Sequence, residues 1–403
     1  MRILVTCDRY PGLPLDGLTL RINHYGKYLS SRHELDLVCL GDDSEANPEI
    51  EAFFNHVQRF PRPPISSEPS RFLSKLTAGF SPSTLYPNSL EVHSHLSKLK
   101  QIGQYDLIWD AGCNMLFNLA EIRQSVPLLA DQVDDAFLRM RRELKLAPTL
   151  YSKLWILKQI FLTWIFSFQH LRNAGAVLFV SQADANSFKA FMPIAKTTVV
   201  ENGVDETYFC PDDALRPGEK STEIVFEGSM SFGPNVDAAQ YFVDAIFPLV
   251  RKEIPQARFT IVGRDPTDSV KALTGNGVEV TGSVPDIRPY LKNAGVFVCP
   301  MRSGAGIKNK ILQAWSMGKA VVSTAEGVGS LMVSEGNNIL VRNAPQAFAD
   351  AVVDLLMNCE KAAQLGKEGR ATILEHYTWA AKAGELETLM EQIVLKHESG
   401  RPG

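Results

Sequence analysis

The chain has 403 residues, 45% hydrophobic and 21% charged, with a formal net charge of −4. Those values suit a soluble globular protein of two domains, each large enough to bury its own core. They exclude a general nucleic-acid partner, which calls for a basic balance, and no stretch supplies the roughly 18 apolar residues of a membrane span.

The six cysteines, Cys7, Cys39, Cys113, Cys210, Cys299 and Cys359, are far apart and form no paired motif. That suits free thiols in a reducing compartment, not a disulfide frame or a zinc site. Residues Met1–Thr6 lead straight into a strand, without the apolar core and cleavage site of a signal peptide, so a cytoplasmic location is expected.

Strand-like runs alternate with helical ones along the chain, the pattern of parallel sheets with helices on both faces. The first half predicts strands at Ile3–Thr6, Leu35–Leu40, Val57–Phe60, Tyr105–Asp110, Pro127–Val133, Ala176–Ser181 and Thr198–Glu201. The loop after the first strand carries Gly17 and opens a helix bearing Arg21. In a Rossmann-like domain that loop faces the ligand crevice; a long turn with a surface arginine fits equally well. No Gly-x-Gly-x-x-Gly follows, so a dinucleotide fingerprint is absent. Residues 59–87 are proline-rich and read as an irregular excursion, either a solvent loop or part of an acceptor site.

Asp110 ends one strand, and Asp131 and Asp134 end the next. Ligands bind at the carboxyl ends of parallel strands, so these carboxylates are candidates for the crevice. Asp134 and Asp135 also suit the cap of the helix that follows. Leu150–Asn173 is a long helical stretch rich in Trp, Phe and Ile, with Lys153, Lys158 and Arg172 and no acid between Glu143 and Asp184. That pattern fits an interfacial helix and, better, a broad core helix of a large domain.

Asn202–Val204 and Pro211–Asp213 separate the first set of strands from a second, at Ile224–Gly228, Arg258–Gly263, Val278–Thr281, Val296–Pro300, Ala320–Ser323 and Ile339–Val341. The expected domains are 1–205 and 206–375, with 376–403 as a C-terminal helix of about 15 residues and a disordered tail from His397 onward. Glycine-bearing loops follow three of the second set: Gly228 with Ser229 and then Asn235, Gly263 with Arg264, and Gly282 before Asp286.

The stretch Pro300–Thr324 is organised as strand end, glycine loop, helix, glycine stop and strand. Gly304 and Gly306 allow tight turns and close approach of the backbone to a ligand. A helix is predicted from about Ile307 to Met317, with Ile307, Ile311, Ala314 and Trp315 on one face and Asn309, Lys310, Gln313 and Ser316 on the other. Arg302, Lys308 and Lys310 put positive charge beside a helix N-terminus, where it opposes the dipole by roughly 0.3–1 kcal/mol each. A bound anion reverses that penalty, and free N–H groups there favour phosphate. The arrangement reads as a diphosphate cradle; an ordinary strand–loop–helix turn with solvated lysines is the alternative.

This stretch resembles the nucleotide-binding segment of family 4 retaining glycosyltransferases of the GT-B fold. The resemblance is greatest to the branch that makes bacterial exopolysaccharide, with Arg before the loop and Gly-Ile-x-Asn-Lys within it, here Gly306 to Lys310. Gly228-Ser-Met230 and Pro234 to Ala238 resemble the same branch, and Asn202 to Asp205 resembles a segment of the family at the domain crossing.

The resemblance implies an α/β protein with two Rossmann-like domains facing each other across a cleft and a C-terminal helix crossing back to the first domain. It implies transfer of a sugar, with retention, from a nucleotide diphosphate sugar to a glycan or lipid-linked acceptor, in exopolysaccharide or cell-surface glycan synthesis. Gly304, Ala305, Gly306 and Ile307 would lie on the donor, with Gly228, Ser229, Asn235, Gly263, Arg264 and Gly282 around it. Gly17, Arg21 and Asp110 would line the acceptor side, and Asp131 and Asp134 would meet the donor sugar or acceptor hydroxyls.

Two glutamates usual in the family are replaced by Ala305 and Gln313, the latter still able to hold a ribose as a neutral group. The Arg and Lys common in the loop after the first strand of the second domain are absent, leaving Arg302, Lys308 and Lys310 to stabilise the leaving diphosphate. The family's β-phosphate is thought to help deprotonate the acceptor, in keeping with the lack of an obvious protein base. No Asp-x-Asp cluster occurs, so neither metal nor other cofactor is expected. If the 150–173 helix meets lipid, the contact is peripheral, on the cytoplasmic face, and the acceptor lipid-linked. A sugar-nucleotide epimerase or hydrolase of the same fold, and a non-catalytic nucleotide- or glycan-binding subunit, are the competing functions.

Overall fold

A computed structural model describes residues 1–12, 17–62, 89–102, 105–211, 221–304 and 308–400. The chain divides into two compact units, Met1–Glu201 with Ala383–Gly403, and Asn202–Lys382.

The first unit is built on a parallel sheet of β1 (Arg2–Cys7), β2 (Glu34–Leu40), β3 (His56–Phe60), β4 (Leu107–Ala111), β5 (Leu128–Val133), β6 (Ala176–Phe179) and β7 (Thr197–Val199). Their order is β3-β2-β1-β4-β5-β6-β7. All of β4 and nearly all of β1 and β2 are buried, because helices cover both faces of a parallel sheet. Chain direction across the sheet reverses between β1 and β4, where Thr6 pairs with Asp110 and Cys7 with Ala111. Such a switch point opens a crevice beyond the carboxyl ends of the two strands.

The second unit repeats the plan with β8 (Glu223–Glu227), β9 (Arg258–Val262), β10 (Val278–Gly282), β11 (Val296–Cys299), β12 (Val321–Ser323) and β13 (Leu340–Val341). The order is β10-β9-β8-β11-β12-β13, again parallel, with its switch point between β8 and β11. The thirteen strands lie within about two residues of the sequence expectation, since doubly covered strands read as short apolar runs.

Helix Trp379–Ser399 belongs to the first unit from Ala383 onward. It buries Ala383, Leu386, Met390 and Ile393. Its Glu387 accepts from Arg32 at 3.0 Å and meets His33 Nε2 at 2.8 Å. The helix is longer than the sequence predicts and takes in His397–Ser399, part of the predicted disordered tail; Arg401–Gly403 and residues 63–87 of the proline-rich excursion lie outside the described residues.

Helix Leu150–Leu171 starts with a capping box between Thr149 and Ser152. The core reading of this helix is overturned. It buries Ile156, Thr163, Phe166, Ser167 and Leu171, but leaves Leu150, Leu154, Trp155, Leu157, Phe161, Trp164 and Phe168 exposed.

Candidate functional site

In the second unit the switch point gathers a polar cluster. β8 ends in Glu227 and turns at Gly228; β9 ends in Val262 and turns at Gly263. A Cβ on Gly263 would overlap the Gly228 carbonyl oxygen, so the two strand ends pack backbone against backbone. A Cβ on Gly228 would lie 2.6 Å from Asn235 Nδ2 and 2.9 Å from Lys310 Nζ. Both side chains therefore rest on bare backbone.

Asn235 stands in the first turn of helix Gly233–Tyr241. Its Nδ2 donates to the Ser229 carbonyl at 2.9 Å and its Oδ1 accepts from Lys310 Nζ at 2.8 Å. Lys310 Nζ also sits 4.3 Å from the Phe226 ring centroid, a cation–π contact. Burial pushes the Lys310 ammonium pKa down, opposed by Cys299 and Glu227. Burial pushes the Glu227 carboxyl up, opposed by Lys310. Lys310 is held away from water, where an added negative charge would meet little dielectric screening.

Lys310 enters from helix Asn309–Ser316, which follows β11 and its loop. Lys308 sits at the N-cap without a side-chain capping bond, and its carbonyl accepts from Ile311 N–H at 2.9 Å. Lys308 is only 5% exposed. Gly304 has φ 120°, a conformation open to glycine, and a Cβ there would lie 3.3 Å from Lys308 Nζ and 3.7 Å from Pro234 Cβ. The loop, the lysine and the start of helix Gly233–Tyr241 thus converge. Ala305, Gly306 and Ile307 lie outside the described residues.

One turn apart on this helix, Asn309 Oδ1 and Gln313 Oε1 are buried with no hydrogen-bond partner among the described residues. Buried carbonyl oxygens normally have one. Two acceptors at i and i+4 share a face, next to two buried lysines. The cluster can offer positive charge to an anion and hydrogen-bond acceptors to hydroxyl groups.

Several expectations for this unit change. Lys310 is buried, against the alternative of solvated lysines; Ser316 on the same face is buried too and donates to the Phe209 carbonyl at 2.7 Å. Arg302 points to helix Gly233–Tyr241. Its guanidinium bonds Asp237, with Nε at 3.1 Å, and lies 4.4 Å from the Tyr241 ring centroid. Its charge is therefore already paired. Arg264 is exposed and contributes its carbonyl, which accepts from Met230 N–H at 2.8 Å. Ser229 shares a 3.1 Å hydroxyl contact with Ser231. Gly282 has φ 70°, and a Cβ built there would meet nothing within 4 Å. Asp286 pairs with Arg288 at 2.7 Å and accepts from its N–H at 2.9 Å, the ion-pair and cap alternative.

In the first unit Arg21 and Asp131 do not line open space. Both are fully buried, and they bond each other at 3.2–3.3 Å. Arg21 also donates to the Val200 carbonyl at 3.1 Å, and the Trp109 indole donates to Asp131 at 3.4 Å. A buried guanidinium this close to a buried carboxylate satisfies both charges inside the protein, which removes Asp131 as a group facing substrate.

Asp110 is buried beside β1, where Oδ1 accepts from the Thr6 hydroxyl at 2.7 Å. Desolvation raises it to about 7, with Asp8 and Asp131 adding to the effect and hydrogen bonds opposing it. Asp134 is the least buried acid of the three. It follows Val133, whose φ of 62° is an outlier for a β-branched residue. Burial of its carboxyl and Asp184 push its pKa up. Asp135 takes the cap role, accepting from Phe137 and Leu138 N–H. Gly17 is the first residue of its helix, with open space where a Cβ would stand.

Reasoning from sequence missed Glu227, Phe226 and Asn309. Glu227 was the detectable one: an acid at the end of an otherwise apolar strand, directly before a glycine.

Residues 221–358 match the family described as Glycosyl transferases group 1. The crystal structure of Anabaena Alr3699/HepE in complex with UDP superposes with a TM-score of 0.64 at 16% identity, over 97% of this chain and 100% of that one. A glycosyltransferase from Rickettsia africae gives 0.65 at 14% identity over 98% of each chain. The fold is GT-B. By sequence, the chain is 26% identical over 245 residues to a GDP-mannose-dependent alpha-(1-6)-phosphatidylinositol monomannoside mannosyltransferase of Mycobacterium tuberculosis, covering 54% of this chain and 62% of the relative. The chain spans between 34% and 62% of the length of the curated relatives it matches. Within the GT-B frame, the match over 221–358 contains the whole cluster around Gly228, Asn235, Lys308 and Lys310.

Proposed function

We propose that the chain is a retaining glycosyltransferase that takes a sugar from a nucleotide diphosphate donor bound at the switch point of the second unit. The observation that carries this reading is Lys310: a buried lysine, tied to Asn235 over the bare backbone of Gly228, at the start of a helix with no side-chain cap. The family match over the same residues, the UDP complex of the similar structure and the GDP-mannose dependence of the mycobacterial relative support it.

As the sugar–phosphate bond breaks, negative charge gathers on the leaving diphosphate. Lys310, Lys308 and the N–H groups at the start of helix Asn309–Ser316 would stabilise it. Losing one preorganised donor of this kind typically lowers rate about 10²–10³-fold. Asn309 and Gln313 would accept from donor hydroxyls, Gln313 as the neutral ribose partner. The reading calls for no metal, because the charge is met by lysines and helix. Retention would follow the family's route, with the β-phosphate assisting deprotonation of the acceptor. Asp134 remains the acceptor-side acid. The acceptor is a glycan or a lipid-linked sugar, in bacterial exopolysaccharide or cell-surface glycan synthesis.

The test is a thermal-shift panel with UDP, GDP, ADP and CDP, with and without Mg²⁺. A nucleotide at 100 times its Kd adds about 2.7 kcal/mol to stability. One nucleotide should shift the midpoint independently of metal, and Lys310→Ala and Lys308→Ala should each reduce the shift and the sugar-transfer rate. Unchanged affinity and turnover in both variants would sink the assignment. Gln313 in place of the usual glutamate favours, as a second reading, a non-catalytic binding subunit. Nucleotide binding without turnover of any sugar donor would select it, and donor turnover without an acceptor would select a hydrolase or epimerase.

A further inference from the structure

Helix Leu150–Leu171 is 22 residues long, about 33 Å at 1.5 Å per residue. Leu150, Leu154, Leu157, Phe161, Trp164 and Phe168 recur at spacings of four and three, so they form one stripe along it. All six are exposed, with Leu154 at 57% and Phe161 at 58%. The buried residues Ile156, Thr163, Phe166 and Ser167 occupy the opposite side. A contiguous apolar face of this size on a soluble unit marks a surface that something covers.

The charges around the stripe say what covers it. At about 100° per residue, Lys153 and Lys158 fall on its two borders, and both are exposed, as are Lys145 and Arg172. No Asp or Glu occurs from residue 144 to 183, although the whole chain is net negative. A second copy of the same face would bring these lysines against one another, a like-charge clash. An anionic surface would be attracted instead. Trp164 already donates its indole N–H to the Phe191 carbonyl at 3.1 Å, so its ring can enter an apolar phase without leaving an unmade hydrogen bond. Among the described residues no helix is long and apolar enough to cross a membrane, and this one has a face committed to the first unit.

We propose that helix Leu150–Leu171 lies in the plane of an anionic lipid bilayer, with the 150–168 stripe in the headgroup–acyl boundary and Lys153 and Lys158 at the headgroups. Apolar burial and attraction to anionic lipid act together in such binding.

The experiment is co-sedimentation of the full chain with phosphatidylcholine vesicles, with and without phosphatidylglycerol, alongside intrinsic fluorescence. Of the five tryptophans, Trp109, Trp315 and Trp379 are buried, while Trp155 and Trp164 are exposed on this helix, so a blue shift on binding reports its insertion. Binding should need the anionic lipid. It should fall roughly tenfold or more in Leu154→Glu/Phe161→Glu, and by about fivefold or more per charge in Lys153→Glu/Lys158→Glu. Both variants alter exposed residues and should keep the unfolding midpoint and the nucleotide-induced shift of the parent chain, which separates this proposal from the donor-site reading. No binding to anionic vesicles, binding unaffected by the Leu154→Glu/Phe161→Glu change, or a lipid-free dimer that this change abolishes would each overturn it.

Discussion

Burial holds the Asp110 carboxyl at about 7, far above the roughly 3.9 of an unfolded aspartate. The folded chain therefore keeps a proton that the unfolded chain releases. Below about pH 4 both states are protonated and the difference vanishes. Between about 4 and about 7 the unfolded state binds fewer protons, so stability falls as pH rises, by up to about 1.4 kcal/mol per pH unit. Asp110→Asn removes the titration while keeping the shape. Denaturant unfolding at pH 5 and pH 7.5 should show the variant gaining relative to the parent at the higher pH; parallel profiles would mean that Asp110 is ionised in the fold. At this scale the sequence misleads in one direction. Arg21, Asp131, Lys308 and Lys310 were all legible as charged residues near strand ends or loops. Whether such a residue faces solvent or a buried partner depends on what packs over it, and the partners Asp131 and Asn235 lie 110 and 75 positions away from Arg21 and Lys310.

Elements were the most legible layer. Each strand is a short apolar run between turn residues, and that signal survives without knowledge of the partner strand. The faces of helices were less so. Helix Asn309–Ser316 buries two polar residues of the face opposite its apolar one, because Asn235 and the Phe209 carbonyl receive them. Helix Leu150–Leu171 has the composition of a core element yet presents half its apolar side outward, a difference no periodicity discloses.

The glycines at strand ends make a sharper test of element packing. Gly263→Ala would drive a methyl into the Gly228 carbonyl and separate β8 from β9 beside Lys310. A loss of about 1–3 kcal/mol is expected, in the range of overpacked sites, with nucleotide affinity falling in parallel. Gly17→Ala, with open space at its Cβ, should leave the midpoint within about 1 kcal/mol of the parent. Equal effects in chemical denaturation would refute the backbone-to-backbone packing.

At the scale of the molecule, the first unit is completed by residues that follow the whole of the second. Leu386, Met390 and Ile393 are buried, and Ile393 packs on Gly175 so closely that no Cβ fits there. Each fully buried side chain of this kind contributes about 1.5–3 kcal/mol. Ending the chain after Lys382 should therefore destabilise the first unit by several kcal/mol, seen as early exchange of amides in β1 and β6. The nucleotide-induced shift should survive, since the donor cluster lies within residues 221–358. Protection of β1 and β6 equal to that of the full chain would show that the helix is dispensable.

The same helix fixes an order of events during synthesis. Domains generally fold as they leave the ribosome, the earlier one first. Here the sheet of the earlier unit emerges without the helix that covers Gly175, and stays incomplete while some 180 further residues are made, the span Asn202–Lys382. The second unit, with all of its strands local to that span, can close first. Until the residues from Ala383 onward are made, the earlier unit leaves the Gly175 side of its sheet uncovered.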